Sequence, residues 1–139
     1  MANQFVHFEL TAADVGAARK FYTKVFDWKI GPAQKDMGGY AMIDLGSKTT
    51  GGGLTAPMMP GQPTGWLSYV EVDSVKKTLA KAEKAGAKVV VPFQEIPGHG
   101  AMGVFVDPQG TALGIWEKGQ PVKKAAAKKP AAKKPAKKK

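Results

Sequence analysis

The chain repeats itself, and a repeat of about 50 residues constrains a fold more than any single motif does. In the first half an extended apolar run over 5–10 leads into a turn over 11–14. Val15, Ala18, Phe21, Tyr22 and Val25 then recur at helical spacing, and Asp14 can cap that helix by accepting from unpaired first-turn amides. Short strands are expected at 28–30, 40–45 and 51–54, separated by Gly31-Pro32 and Gly46-Ser47-Lys48. A Pro- and Gly-rich linker, 56–65, closes the half.

The same order then returns. A strand over 67–72 precedes a helix capped by Asp73 or Ser74, with Val75, Leu79 and Ala82 on one face. Gly86 supplies a left-handed stop. Strands follow at 88–91, where Pro92 ends the run, at 102–106, and at 112–116 after the turn Asp107-Pro108-Gln109-Gly110. Asp14–Trp28 aligns with Asp73–Ala87 without a gap. Both halves read β-α-β-β-β, so the fold class is α+β, with modules at about 4–56 and 66–118 forming one domain, 1–118. One helix covers only one face of a four-stranded sheet. Two modules side by side therefore predict a shared open-barrel cavity between their bare faces, where a ligand would sit.

Charge separates this domain from the rest. Residues 1–118 hold 12 basic and 11 acidic side chains, while nine further lysines lie in 119–139. That segment contains only Lys, Ala, Pro, Val, Gln and Gly, so it is expected to be a disordered tail with no core of its own. It could neutralise phosphates of nucleic acid or another polyanion without sequence specificity, or simply aid solubility. Lys76, Lys77, Lys81, Lys84 and Lys88 add basic surface to the second module. The chain has no cysteine, so disulfides and thiolate metal sites are excluded. No apolar run approaches the ~20 residues that span a bilayer, and no leader is evident at Met1, so a cytoplasmic protein is expected. Gly51-Gly52-Gly53 is not a P-loop, because neither a following helix nor a Lys-Ser/Thr pair accompanies it.

Several joints of this pattern carry a resemblance. They are Val6-His7-Phe8, the run Phe21-Tyr22-Thr23-Lys24-Val25-Phe26-Asp27-Trp28, the segment Gly98–Phe105, and the closing Asp107–Glu117. With these motifs the chain resembles the vicinal oxygen chelate superfamily of glyoxalases, bleomycin resistance proteins and extradiol dioxygenases. Its nearest flavour is the small stand-alone bacterial glyoxalase-like group. The resemblance implies a metal held by one ligand from the first strand and one from the last strand of each half. Carried over, those positions are His7, Gly53 (or Gly52), Leu67 and Gly114. Three of the four cannot ligate through a side chain, so no metal or other cofactor is expected. A rearranged set from His7, Glu9 and Glu71 is the alternative, with Glu117 lying three residues past Gly114.

Strand alternation sets Phe5, His7 and Glu9 on one face and Leu67, Tyr69 and Glu71 on the matching face of the second half. Trp116, with the parity of Gly114, offers a stacking surface and an indole donor. His7, Glu9, Tyr69, Glu71 and Trp116 are therefore the expected ligand-binding residues, with His7 the candidate base. Ionised Glu9 and Glu71 would suit a cationic or hydroxyl-bearing ligand, although carboxylates near strand ends are often merely solvated. Tyr40 and Phe105 read as core, and His99 as an exposed loop residue or a gate. The leading expectation is a metal-independent protein that binds a small molecule. An isomerase or lyase working through His7 or a shifted metal site is the second, and a nucleic-acid-associated accessory protein acting through the tail is the third. The resemblance also implies a homodimer.

Overall fold

The computed structural model describes residues 3–35, 38–48 and 50–119. The lysine-rich segment expected beyond Gly119 lies outside them. The strands are β1 Phe5–Thr11, β2 Lys29–Ile30, β3 Ala41–Asp44, β4 Gly51–Thr55, β5 Gly65–Val72, β6 Lys88–Ile96, β7 Gly100–Val106 and β8 Ala112–Lys118. The helices are α1 Val15–Val25 and α2 Val75–Lys84. All eight strands form one sheet in the order β2-β3-β4-β1-β5-β8-β7-β6. The two halves thus join where β1 and β5 run antiparallel, with His7 opposite Tyr69 and Glu9 opposite Leu67.

Both helices lie on the same face of this sheet. Leu10, Ala41, Ile43 and Leu54 pack with Val15, Ala18 and Tyr22 of α1, while Val72, Ala101 and Ile115 pack with Val75 and Leu79 of α2. The Arg19 guanidinium ties α1 to the sheet by donating to the Ile30 and Gly31 carbonyls at 2.7 and 2.6 Å. Asp14 caps α1 as expected, accepting from the Ala17 amide at 2.9 Å. At α2 the cap is Ser74, not Asp73, and it accepts from Lys77. Gly86 takes φ 106° just past that helix, as a stop requires.

Three expectations need correction. Pro92 does not end its strand: β6 continues to Ile96, with irregular register around Val91. An edge strand tolerates proline, because its unpaired side needs no amide. Phe5 does not share a face with His7, since the β1–β5 register slips between them and pairs Phe5 with Val70. Phe5 stacks on Phe8 instead, on the helix-bearing side. Glu117 does not face the possible metal positions. Its Oε1 accepts from the Val75 amide at 2.9 Å and so closes the first turn of α2 across the sheet. An acidic acceptor at a helix N-terminus satisfies an orphan donor and meets the positive end of the dipole.

No helix among the described residues is long and apolar enough to cross a membrane. Because its carboxylate accepts from the Val75 amide, Glu117→Ala should lower stability by about 1–2 kcal/mol, read as a shifted denaturation midpoint, whereas a residue outside the fold's framework would shift it by a few tenths.

Candidate functional site

The face opposite the helices is built around the β1–β5 seam. Alternation places His7 and Glu9 of β1, Leu67, Tyr69 and Glu71 of β5, Gly114 and Trp116 of β8, and Gly53 of β4 on this side. Glu9 sits directly between Gly53 and Leu67, and His7 between Gly51 and Tyr69. Glu71 and Trp116 are register partners one step farther along the second half. His7, Gly53, Leu67 and Gly114, the positions at which the resemblance implies ligands, thus surround one short stretch of the seam.

Two tyrosine rings occupy this stretch. A Cβ added to Gly53 would overlap the hydroxyl end of Tyr40, and one added to Gly114 would lie 2.5 Å from the Tyr69 ring. The glycines are needed because tyrosines lie over them. Their hydroxyls then complete a polar cluster. Tyr69 donates to Glu9 Oε1 at 3.1 Å, and the Tyr40 hydroxyl lies 2.5 Å from His7 Nε2. Tyr40 also faces Glu9 closely enough to favour its ionised form. The His7 and Tyr69 rings meet edge to face, 5.6 Å between centroids.

Burial sets the proton affinities of the cluster. It raises Glu9 above the usual carboxylate range, against the opposing pull of the Tyr40 and Tyr69 hydroxyls. It lowers His7, which favours the neutral imidazole. Both tyrosines are raised, first by burial and then by the Glu9 charge, so they act as donors and not as phenolates. Among the described residues no cation adjoins Glu9. A raised folded-state affinity means the proton is held more tightly folded than unfolded, so ionisation of Glu9 works against folding as pH rises through that range. Glu9→Gln should consequently be at least as stable as the native chain at neutral pH.

The residues present do not fit a divalent metal. Among the described residues no three His, Asp or Glu side chains gather in a way that could hold one. The rearranged set His7, Glu9 and Glu71 therefore does not converge, and the tyrosine rings fill the space that carboxylates at positions 53 and 114 would need. His7, Glu9 and Tyr69 come together as the sequence suggested, and Glu71 and Trp116 share their face. His99 is exposed, in a turn where its amide donates to Ile96 at 2.9 Å. Tyr40, assigned to the core from sequence, belongs to the polar cluster. The signal for it was the glycine at position 53, a strand position where a ring could lie flat against backbone.

A second feature lies on the helix-bearing face. Phe8, Trp28, Ile43, Leu45, Gly52 and Trp66 line an open apolar pocket of about 230 Å³. Its aromatic rim continues through Tyr22, which meets Trp66 at 5.6 Å and Phe21 at 5.0 Å, and through Phe26, 4.7 Å from Trp28. No residue of α1 is buried, although Val75 and Leu79 of α2 are. Phe21 and Val25, expected on the buried stripe, are 58% and 52% exposed.

The model of the glyoxalase/bleomycin resistance protein/dioxygenase superfamily matches residues 4–115. The chain is 35% identical over 115 residues to the glyoxylase-named CFP32 of Mycobacterium tuberculosis, covering 78% of this chain and 43% of that protein. It is 29% identical over 126 residues to the anthracycline biosynthesis protein DnrV of Streptomyces peucetius, covering 81% and 46%. The chain thus spans about half the length of the curated relatives it matches. In fold it is similar to a hypothetical protein of Bacillus halodurans C-125, with TM-score 0.65, 13% identity, and coverage of 88% and 99%. It is also similar in fold to methylmalonyl-CoA epimerase of Mycobacterium tuberculosis, with TM-score 0.62, 14% identity, and coverage of 84% and 88%.

If each tyrosine requires its glycine, the two substitutions will not be additive. Gly114→Ala should cost about 1–3 kcal/mol by overpacking, and most of that cost should vanish in a Tyr69→Ala background, as a double-mutant cycle in chemical denaturation would show.

Proposed function

The chain belongs to the glyoxalase/bleomycin resistance protein/dioxygenase superfamily, and within it we propose a metal-independent protein that binds a small molecule on the face opposite its helices. The observation that carries this reading is a tyrosine pair lying over Gly53 and Gly114, two positions at which the resemblance implies ligand side chains. A divalent ion needs several donors converging with open positions left for substrate. Here a single imidazole stands at the first position, its Nε2 engaged by Tyr40. The partly buried polar groups that replace a metal shell are hydrogen-bonded to one another, and a half-buried carboxylate lies at their centre. Such a group marks a binding site more often than it serves stability, because ionising it costs the fold free energy. His7, Glu9, Tyr69, Glu71 and Trp116 are the proposed contacts, with Tyr40 added.

The test is binding in the presence of a chelator. A fractionated mixture of small metabolites should contain a component that raises the melting temperature of the full chain equally well with and without EDTA. Equilibrium dialysis with nickel, zinc and manganese should show no stoichiometric uptake. Tight one-to-one uptake abolished by His7→Ala would overturn the reading.

For a macromolecular partner we propose a second copy of the chain, seated on the α1 aromatic face. Phe5, Phe21, Val25, Phe26 and Trp66 are 46–58% exposed, and together present on the order of 500 Å² of apolar surface. A stable interface takes roughly 800 Å² per partner, and monomers rarely expose so large a contiguous patch. The curated relatives carry more than as much chain again beyond the matched stretch, room for a second unit of this size. Sedimentation of the full chain should show a dimer at micromolar concentration. Phe21→Asp should yield a folded monomer, whereas Val90→Asp, at an exposed position on β6, should leave the dimer intact.

A further inference from the structure

Resting on the reading of this face as a small-molecule site, we propose that its ligand is a protonated amine carried on an apolar or aromatic body. Glu9 has more acceptor capacity than its neighbours fill. A Tyr hydroxyl has one proton to give. Tyr69 gives its proton to Glu9 Oε1. The Tyr40 hydroxyl is engaged with His7 Nε2. Both tyrosine hydroxyls are thereby taken up within the cluster. What Glu9 offers a ligand is acceptor capacity, since a carboxylate has about four lone-pair sites and Tyr69 fills one of them.

Charge narrows the choice further. Glu9 is flanked by two tyrosines, an imidazole, a glycine and a leucine, with no cation beside it among the described residues. Glu71 adds a second carboxylate on the same face, opposite Trp116. An anionic ligand would meet repulsion from both carboxylates. A neutral hydroxyl would satisfy one lone pair but leave the carboxylate uncompensated. An ammonium group satisfies both demands in one charge-assisted contact, and Trp116 can carry an attached ring. A metal centre attracts electron-rich oxygens. With the metal ligands replaced by tyrosines and glycines, the same place in the fold presents the opposite polarity.

The experiment uses the full-length chain labelled with 15N, titrated with benzylamine and, separately, with benzoate at neutral pH. Benzylamine is expected to cause saturable shifts at the amides of His7, Glu9 and Tyr69 and at the Trp116 indole. In Glu9→Gln the affinity should fall at least tenfold while the spectrum stays folded; benzoate should leave these signals unmoved. Equal response to benzoate, or a benzylamine response unchanged in Glu9→Gln, overturns the proposal and leaves the small-molecule reading standing. Absence of a benzylamine response, where a metabolite component still binds, has the same consequence. If nothing binds on this face, both fall.

Discussion

Two aromatic rings lying over two glycines hold the rest of this structure's argument together. Tyr40 over Gly53 and Tyr69 over Gly114 are possible only because neither glycine carries a side chain. The two pairs sit in corresponding places, Gly53 beside Glu9 and Gly114 beside Tyr69, on either side of the seam joining the halves. Once the rings are there, their hydroxyls converge on Glu9 and His7, and the polar cluster follows. The same contact that removes room for a pair of carboxylate ligands also supplies the hydrogen bonds that make a lone carboxylate tolerable.

The framework around the cluster is conventional and rigid by comparison. Continuous pairing across eight strands sets the register that brings β1, β4, β5 and β8 side by side. Each helix is capped by a side chain at its start, and α2 is additionally tied to β8 through Glu117. The fold thus places the Glu9 carboxylate on a strand paired on both sides and not on a loop. Glu9 works against stability where it is ionised, because burial penalises its charge.

Much of this was legible in the sequence because its physics is local. The duplicated β-α-β-β-β order, the Asp14 cap and the Gly86 stop depend on spacing and backbone preference, and all appear in the fold. Alternation was enough to set His7, Glu9 and Tyr69 on one face. It failed at Phe5, where a register slip, invisible in a single strand, flips the side chain. The role of Glu117 was hidden for a related reason, since its partner amide lies 42 residues earlier on a different element. Tyr40 was misassigned to the core because what distinguishes it is the absence of a side chain on another strand. The exposure of Phe21 and Val25 could not be read either, as helical periodicity marks an apolar stripe without saying what covers it.

Tyrosine rings occupy the space over Gly53 and Gly114, where carboxylate ligands to a metal would otherwise stand. Anomalous diffraction from a crystal of the full chain grown with nickel tests this arrangement at the atoms themselves. No anomalous peak is expected near His7 and Glu9, with the Tyr69 hydroxyl on that carboxylate and the Tyr40 hydroxyl on His7. A peak bonded to His7, with the two rings swung off Gly53 and Gly114, would contradict it.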